Sequence, residues 1–327
     1  MNNKIFILDS KKINDSELHK AKLSYDNHGA FIITNIFTHP QVEELRTFSK
    51  KLFLKNGDKR VRGIQELESN KDKVLLRKFF AEEKLLNILI KIFKKNNIFL
   101  LPPYHIAKNY LPHSFETEAM GWHRDCNGET NYKACVRLLK DKSYTFGKIG
   151  IYLQDNSEYG GAIDIVPGSN RDFFNLFPGY SFPYFAVKLI TILQRSFMKI
   201  YKLPFVRSGL LRIINATTAN INAGDIIIFD SRTIHKGTFA SADIEKTMKF
   251  DHSNLQAELP EDKTKFVLYS HFGNQVGIKS YFIDRNKRYD KKEMDFWIKD
   301  QAALFGNNSF KNELAPSLKT LKSLIHN

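Results

Sequence analysis

Residues 221–239 read "INAGDIIIFDSRTIHKGTF" and combine a turn, an apolar run and a histidine. Gly224 and Asp225 form the turn signal, and the apolar residues after them predict a short buried strand. His235 comes at the far end of this strand, beside Gly237. A single histidine in such a place is most often an ordinary loop residue, so its role depends on what else the sequence offers.

A second segment, "GWHRDCNGE" at residues 121–129, places His123 and Asp125 two positions apart. If this segment is extended, the two side chains point to the same face. Two histidines and one carboxylate form a triad that binds Fe(II) and leaves coordination positions open, so a distant second histidine would complete the set. The alternative is a surface turn, because Asp125 leads directly into Cys-Asn-Gly.

Short β-like runs dominate the sequence from residue 98 onward. They include "IFLLPPYHIAKNYLP", "GKIGIYLQD", "GGAIDIVPG", "GDIIIFDS" and "KFVLYSHFG", bounded by glycine, proline and aspartate. Short strands separated by turns indicate an antiparallel sandwich or barrel rather than alternating β-α-β units. Helical patterns precede them: Thr38 and Pro40 mark a helix start, and "EEKLLNILIKIFKK" is amphipathic. The sequence therefore predicts a mainly β fold with helical decoration (α+β).

No internal repeat or low-complexity linker divides the chain, so we expect a single domain over residues 1–327. Its predicted parts are a flank of helices and strands at 1–98, a β-barrel core at 99–280 with a helical insertion at 171–220, and a helical extension at 281–327.

The insertion contains the most apolar stretch, "SFPYFAVKLITILQRSFMKIYKLPF", at residues 181–205. Lys188, Gln194 and Arg195 interrupt it, which argues against a transmembrane span. Two interpretations of this segment remain. The segment is a helix that packs on the barrel as a lid, which suits a long apolar or acyl-bearing substrate, or it is a basic amphipathic helix in weak contact with a membrane surface.

Composition and charge indicate what kind of protein this is and which partners its charge would suit. The 327 residues are 42% hydrophobic, enough for a full core. Cys126 and Cys135 are too few for a disulfide framework, and no signal-peptide pattern follows Met1, so we expect a cytoplasmic protein. The net charge of +15 is compatible with an acidic substrate or with nucleic acid, but the lysines are dispersed and no nucleic-acid-binding motif accompanies them.

Taken together, these pieces resemble the phytanoyl-CoA dioxygenase-like branch of the Fe(II)/2-oxoglutarate oxygenases, over about residues 25–275. The resemblance rests on "GAFIITNIF…VEELR", on His123 and Asp125, on the "GG…VPGS" pattern of Gly161–Ser169, and on His235. It implies a double-stranded β-helix, a jelly-roll or cupin-like barrel with a metal site at its open mouth.

The resemblance also implies the chemistry. His123, Asp125 and His235 would be the catalytic metal ligands for Fe(II), and 2-oxoglutarate and dioxygen would take the open positions. The expected activity is hydroxylation of a small-molecule or lipid-like substrate with release of succinate and CO2. The presence of Asp125 favours hydroxylation over halogenation, because halogenating relatives lack this carboxylate.

The chain departs from the family at the residue that binds the 5-carboxylate of 2-oxoglutarate. The family has an arginine on the strand after the distal histidine, whereas no arginine occurs here between Arg232 and Arg285. Lys246 and Lys265 compete for this role, and we prefer Lys265 because it opens the strand-like "KFVLYSHFG". Lys108 is a further basic residue that could line the mouth. Either replacement gives a point-charge contact instead of a planar fork.

Two other functions stay open at this stage. The missing arginine would suit a degenerate barrel that binds metal or a small molecule without oxygenase turnover. The basic charge would suit an oxygenase that acts on nucleic acid, which requires a basic groove with stacking aromatic side chains beside the metal.

Overall fold

The computed structural model describes residues 5–55, 61–63, 67, 69–93, 98–109, 122–125, 141–156, 162–171, 175–177, 180–181, 215–237, 249–251, 256–258 and 265–278. Its helices are α1 (Asp15–His28), α2 (His39–Lys55), α3 (Asn70–Phe80) and α4 (Glu83–Phe93). Its strands are β1 (Phe6–Asp9), β2 (Ala30–Thr34), β3 (Val61–Gly63), β4 (Phe99–Asn109), β5 (Phe146–Tyr152), β6 (Ile163–Ile165), β7 (Asn175–Phe177), β8 (Tyr180–Ser181), β9 (Thr217–Ala219), β10 (Ile226–Asp230), β11 (His235–Gly237), β12 (Lys249–Asp251), β13 (Gln256–Glu258) and β14 (Lys265–Gly273).

Local sequence sets the helix ends. Asn14 caps α1 by accepting a hydrogen bond from the backbone N–H of Glu17, and Gly29 ends the helix in the left-handed conformation, with φ of 81°. Before α2, the backbone N–H of Thr38 donates to the side chain of Gln41 at 2.8 Å, as in a capping box. The predicted start of this helix at Thr38 is therefore confirmed.

A seven-stranded major sheet is the centre of the fold, in the order β1-β2-β10-β5-β14-β4-β3. Its pairs are antiparallel except for β1 with β2. A three-stranded minor sheet, in the order β11-β6-β9, is antiparallel throughout. Strand β5 is hydrogen-bonded to a neighbour on each edge, so the backbone positions of its residues are fixed from both sides.

Alternation along β10 separates two cores. Ile226 and Ile228 belong to a large cluster that includes the apolar faces of all four helices. Ile227 and Phe229 belong instead to a cluster with the minor-sheet residues Ile163, Ile165 and Ala219. The major sheet therefore packs against helices on one face and against the minor sheet on the other, which is why β10 is apolar on both faces.

The predicted fold class is confirmed: the chain is mainly β with helical decoration, and two facing sheets form the core. The domain boundaries stay a prediction, although β1 and β2, from the predicted 1–98 flank, are strands of the major sheet. Most of the 171–220 insertion, including nearly all of 181–205, and all of 281–327 lie outside the described residues. Within the described part, no helix is long and apolar enough to span a membrane.

Candidate metal centre

His123 and His235 form an isolated antiparallel bridge beside the minor sheet. The N–H of His123 donates to the carbonyl of His235 at 3.0 Å, and the reverse bond measures 2.9 Å. Residues that exchange both bonds lie directly opposite one another and present their side chains to the same face. The two imidazole centroids are accordingly 4.3 Å apart.

Asp125 completes a cluster of three metal-ligand side chains. Its Oδ1 is 3.8 Å from Nε2 of His123, and its Oδ2 is 3.5 Å from Nε2 of His235. One ligand atom from each residue lies within 4.8 Å of the other two. Two imidazoles and one carboxylate that converge in this way suit a divalent ion such as Fe(II), so the residues present fit the metal that the sequence resemblance implied.

The surroundings of His235 prepare one ring nitrogen for a metal. Its Nδ1 lies 2.9 Å from the carbonyl oxygen of Thr233. Since a carbonyl can only accept, this hydrogen bond requires the proton on Nδ1 and leaves the lone pair of Nε2 for coordination. Burial lowers the pKa of His235 to about 3, and nearby His123 contributes to the shift. The imidazole is therefore neutral at physiological pH, as ligation requires.

Asp125 is held as a carboxylate by its neighbours. Burial by itself would raise its pKa, but the ammonium of Lys148 and the imidazoles of His235 and His123 lower it well below the ordinary value. Nζ of Lys148 is 2.8 Å from Oδ2 of Asp125. The sequence contained no signal for this contact, because Lys148 lies on a strand remote from residues 121–129 and only the sheet register reveals that it faces the cluster.

Arg124, between the two ligands, fixes the segment from the opposite side. Its side chain is buried, with Nε donating to the carbonyl of Arg232 at 2.8 Å and an Nη donating to the carbonyl of Ser169 at 3.1 Å. An extended segment alternates its side chains, so Arg124 is directed away from the face that His123 and Asp125 share. The predicted juxtaposition of His123 and Asp125 is thus present, and Arg124 ties it to the rest of the fold.

The turn before His235 is held by a buried ion pair and by a glycine. Arg232 binds both carboxylate oxygens of Asp230, with its closest contact at 2.6 Å. The carbonyl of Gly29 accepts from the backbone N–H of Asp230 at 2.8 Å and from the hydroxyl of Thr233 at 3.1 Å. A Cβ on Gly29 would overlap the side chain of Thr233. The α1–β2 junction therefore positions the approach to His235.

The three lysines predicted as cosubstrate anchors lie in different parts of the chain. Lys265 is buried at the start of β14, and its Nζ lies 4.8 Å from the centroid of the Tyr152 ring. Burial lowers its pKa to about 7. Lys108 lies in β4 opposite Phe266. Lys246 lies outside the described residues. The assignment of the anchor to Lys265 stays a prediction.

Several solved structures resemble this chain in fold. The non-heme alpha ketoglutarate dependent epimerase SnoN from nogalamycin biosynthesis is 12% identical, with a TM-score of 0.47 over 80% of this chain and 84% of SnoN. EctD from S. alaskensis, solved with 2-oxoglutarate and 5-hydroxyectoine, is 13% identical, with a TM-score of 0.45 over 79% of this chain and 76% of EctD. The sequence matches no curated protein.

A family model supplies the assignment. The model for phytanoyl-CoA dioxygenase (PhyH) matches residues 25–244. This match spans more than half of the chain and contains all three residues of the metal-ligand cluster. The chain belongs to the phytanoyl-CoA dioxygenase (PhyH) family.

Proposed function

We propose that the protein is an Fe(II)/2-oxoglutarate-dependent dioxygenase that hydroxylates a small-molecule or lipid-like substrate and releases succinate and CO2. The observation that carries this proposal is the convergence of His123, Asp125 and His235, whose ligand atoms lie within 4.8 Å of one another. Membership of the PhyH family supports the same reaction class.

Each ligand has a distinct part in the proposed site. His235 offers Nε2 from a buried ring whose orientation is fixed by Thr233. His123 offers Nε2 from a ring that stays 45% exposed, so the site is open to solvent on this side. Bound iron would supply the centre at which dioxygen is reduced while 2-oxoglutarate is oxidised to succinate and CO2. Asp125 would occupy the ligand position that is vacant in halogenating relatives, and its presence favours hydroxylation.

The proposed cosubstrate pocket is a strip of polar side chains between the sheets. Lys148 contacts Asp125, and its ammonium lies 5.9 Å from the centroid of the Tyr269 ring. The Tyr269 and Tyr152 rings both lie against Gly150, and the ammonium of Lys265 lies 4.8 Å from the centroid of the Tyr152 ring. Among the described residues of this strip, Lys148 and Lys265 are the cations, and Lys148 is already paired with Asp125. Lys265 is therefore the proposed partner of the 5-carboxylate.

The substrate proposal rests on the sequence of residues 181–205. Fully burying one of its large apolar side chains is worth about 1.5 to 3 kcal/mol, so the helix that the sequence predicts here needs a surface to cover. We assign it to the wall of the substrate pocket, which suits a long apolar or acyl-bearing substrate in the cytoplasm. Deletion of 183–203, closed by a Gly-Ser linker, should raise KM for such a substrate. Hydroxylation with an unchanged KM would remove this support.

The test of the reaction class is succinate formation from 2-oxoglutarate with added Fe(II), measured with and without candidate substrates. The wild-type protein should form succinate in an Fe(II)-dependent manner, and Asp125→Ala should form none above the metal-free background. A wild-type protein that binds Fe(II) but forms no succinate with any substrate panel would contradict the proposal.

A second candidate is a barrel that binds a metal and a small acid without turnover. The observation in its favour is the absence of an arginine between Arg232 and Arg285. The proposed anchor, Lys265, is a lysine and would bind a carboxylate only as a point charge. On this hypothesis, calorimetry would detect binding of 2-oxoglutarate to the metal-loaded protein. After incubation with Fe(II) and oxygen, however, the 2-oxoglutarate would be recovered unchanged.

A further inference from the structure

The cation nearest to the Asp125 carboxylate, among the described residues, is the ammonium of Lys148. The Nζ–Oδ2 distance is 2.8 Å, shorter than the distances from that carboxylate to Nε2 of His235 and of His123, which are 3.5 and 3.8 Å. The pair is largely shielded from water, with side-chain exposures of 22% for Lys148 and 11% for Asp125. Such a pair is less screened than a surface ion pair.

The fold delivers Lys148 to this position from a paired central strand. Lys148 lies opposite Phe229 of β10 on one side and opposite His271 of β14 on the other. The ring of Phe229 in turn packs 4.9 Å from that of His235. Because both neighbouring strands fix the backbone of β5, the contact of Lys148 with Asp125 is a feature of the sheet register.

Asp125 already has a cationic partner within the chain. Its carboxylate carries one negative charge, and the ammonium of Lys148, 2.8 Å away, carries one positive charge. A divalent cation on the same carboxylate would lie within a few ångströms of the ammonium, and the two cations would repel each other. Lys148 and a metal therefore compete for one ligand.

We propose that Lys148 is a built-in counter-ion of Asp125. When no metal is bound, its ammonium pairs with the Asp125 carboxylate, and a divalent metal that binds this carboxylate displaces the ammonium. The inference rests on the metal site of the proposed function. It has two consequences: Lys148 stabilises the protein without metal, because it keeps Asp125 paired, and it lowers the affinity of the site for metal. A residue with only a packing role would have the first effect and not the second.

The experiment compares Lys148→Met with wild type after removal of metal by a chelator, with Co(II) as the redox-stable probe. Without metal, Tm of Lys148→Met should fall by about 4 °C, because a shielded carboxylate loses its partner. Its Kd for Co(II) should be about tenfold lower than that of wild type, because a neighbouring positive charge is gone. The rise in Tm on addition of Co(II) should consequently be larger in the variant.

Three further variants make the result specific. Lys148→Gln keeps a hydrogen-bond donor without the charge and should bind Co(II) as tightly as Lys148→Met. If Lys148→Met does not fold, the Co(II) affinity of a neutral variant is measured on Lys148→Gln instead. Lys148→Arg keeps the charge and should retain the wild-type affinity. Lys84→Met removes an exposed charge on α4 and should change neither Tm nor Kd.

An unchanged or weaker Co(II) affinity in both neutral variants would overturn the counter-ion role while leaving the metal site intact. Failure of the wild-type protein itself to bind Co(II) would overturn the proposed function as well, so the two failures are distinguishable.

Discussion

His123 and His235 exchange both of their backbone hydrogen bonds, at 3.0 and 2.9 Å, although they are far apart in the sequence. The backbone therefore fixes the spacing of the two imidazoles, and their ligand atoms lie close enough to that of Asp125 to share one metal ion. Ligands that the backbone already holds in position lower the entropic cost of binding a metal between them.

The two histidines should differ in what their removal does to stability. His123 is 45% exposed, so His123→Ala should change the free energy of unfolding by less than about 1 kcal/mol. His235 is buried against Phe229, so His235→Ala should destabilise by about 2 to 3 kcal/mol. Denaturant unfolding of the metal-free proteins measures both values.

Both variants should nevertheless lose metal binding to the same extent, since each lacks one of three ligands. Calorimetric titration with Co(II) checks this. Retention of wild-type affinity by either variant would remove that histidine from the site.

Arg124 should act on the metal through the position of its neighbours. Arg124→Met removes the hydrogen bonds to the carbonyls of Arg232 and Ser169 and leaves the ligand segment less firmly placed. By analogy with partners that orient metal ligands, the affinity for Co(II) should fall by about 10- to 100-fold. Arg171→Met is the matched control, because this arginine is exposed and its loss should leave the affinity unchanged.

Gly29 should tolerate no side chain. Its φ is 81°, and a Cβ would overlap Thr233, so Gly29→Ala should destabilise by about 2 kcal/mol or more. Because Gly29 supports the turn before His235, metal affinity should fall too. Gly237→Ala is the control: its Cβ would meet no described atom within 4 Å, and its Tm should stay within about 2 °C of wild type.

Lys265 should lower the stability of the fold, because its ammonium is buried. No described acidic side chain forms an ion pair with it, and burial alone lowers its pKa to about 7. Between pH 7 and the ordinary lysine pKa the unfolded chain holds one proton more, so the contribution of Lys265 to stability rises with pH over this window. At pH 8, Lys265→Met should therefore raise the free energy of unfolding by about 1 to 3 kcal/mol. A loss of stability would show that the ammonium has an undetected partner.

The same lysine should make 2-oxoglutarate binding depend on pH. The protonated form binds a carboxylate, so KM for 2-oxoglutarate should rise as pH increases above about 7. Lys265→Arg stays charged over this range and should show a flat profile from pH 6.5 to 8.5. Equal profiles in the two proteins would exclude Lys265 as the anchor and direct attention to Lys246.

Local sequence patterns predicted a strand, a helix start and the shared face of two ligands. The apolar run before Phe229 predicted strand β10, the capping residue Thr38 predicted the start of α2, and the spacing of His123 and Asp125 predicted their shared face. The pairing of Lys148 with Asp125 was not predictable, because it depends on the register of β5 between two sequence-distant strands.

The most direct test of the metal centre is a crystal structure of the Fe(II)-loaded protein grown without oxygen, with the metal located by anomalous scattering. A single iron should lie about 2.0 to 2.3 Å from Nε2 of His123, from one carboxylate oxygen of Asp125 and from Nε2 of His235. Iron bound elsewhere, or a fully loaded crystal in which any of these three side chains is turned away from the metal, would contradict the account.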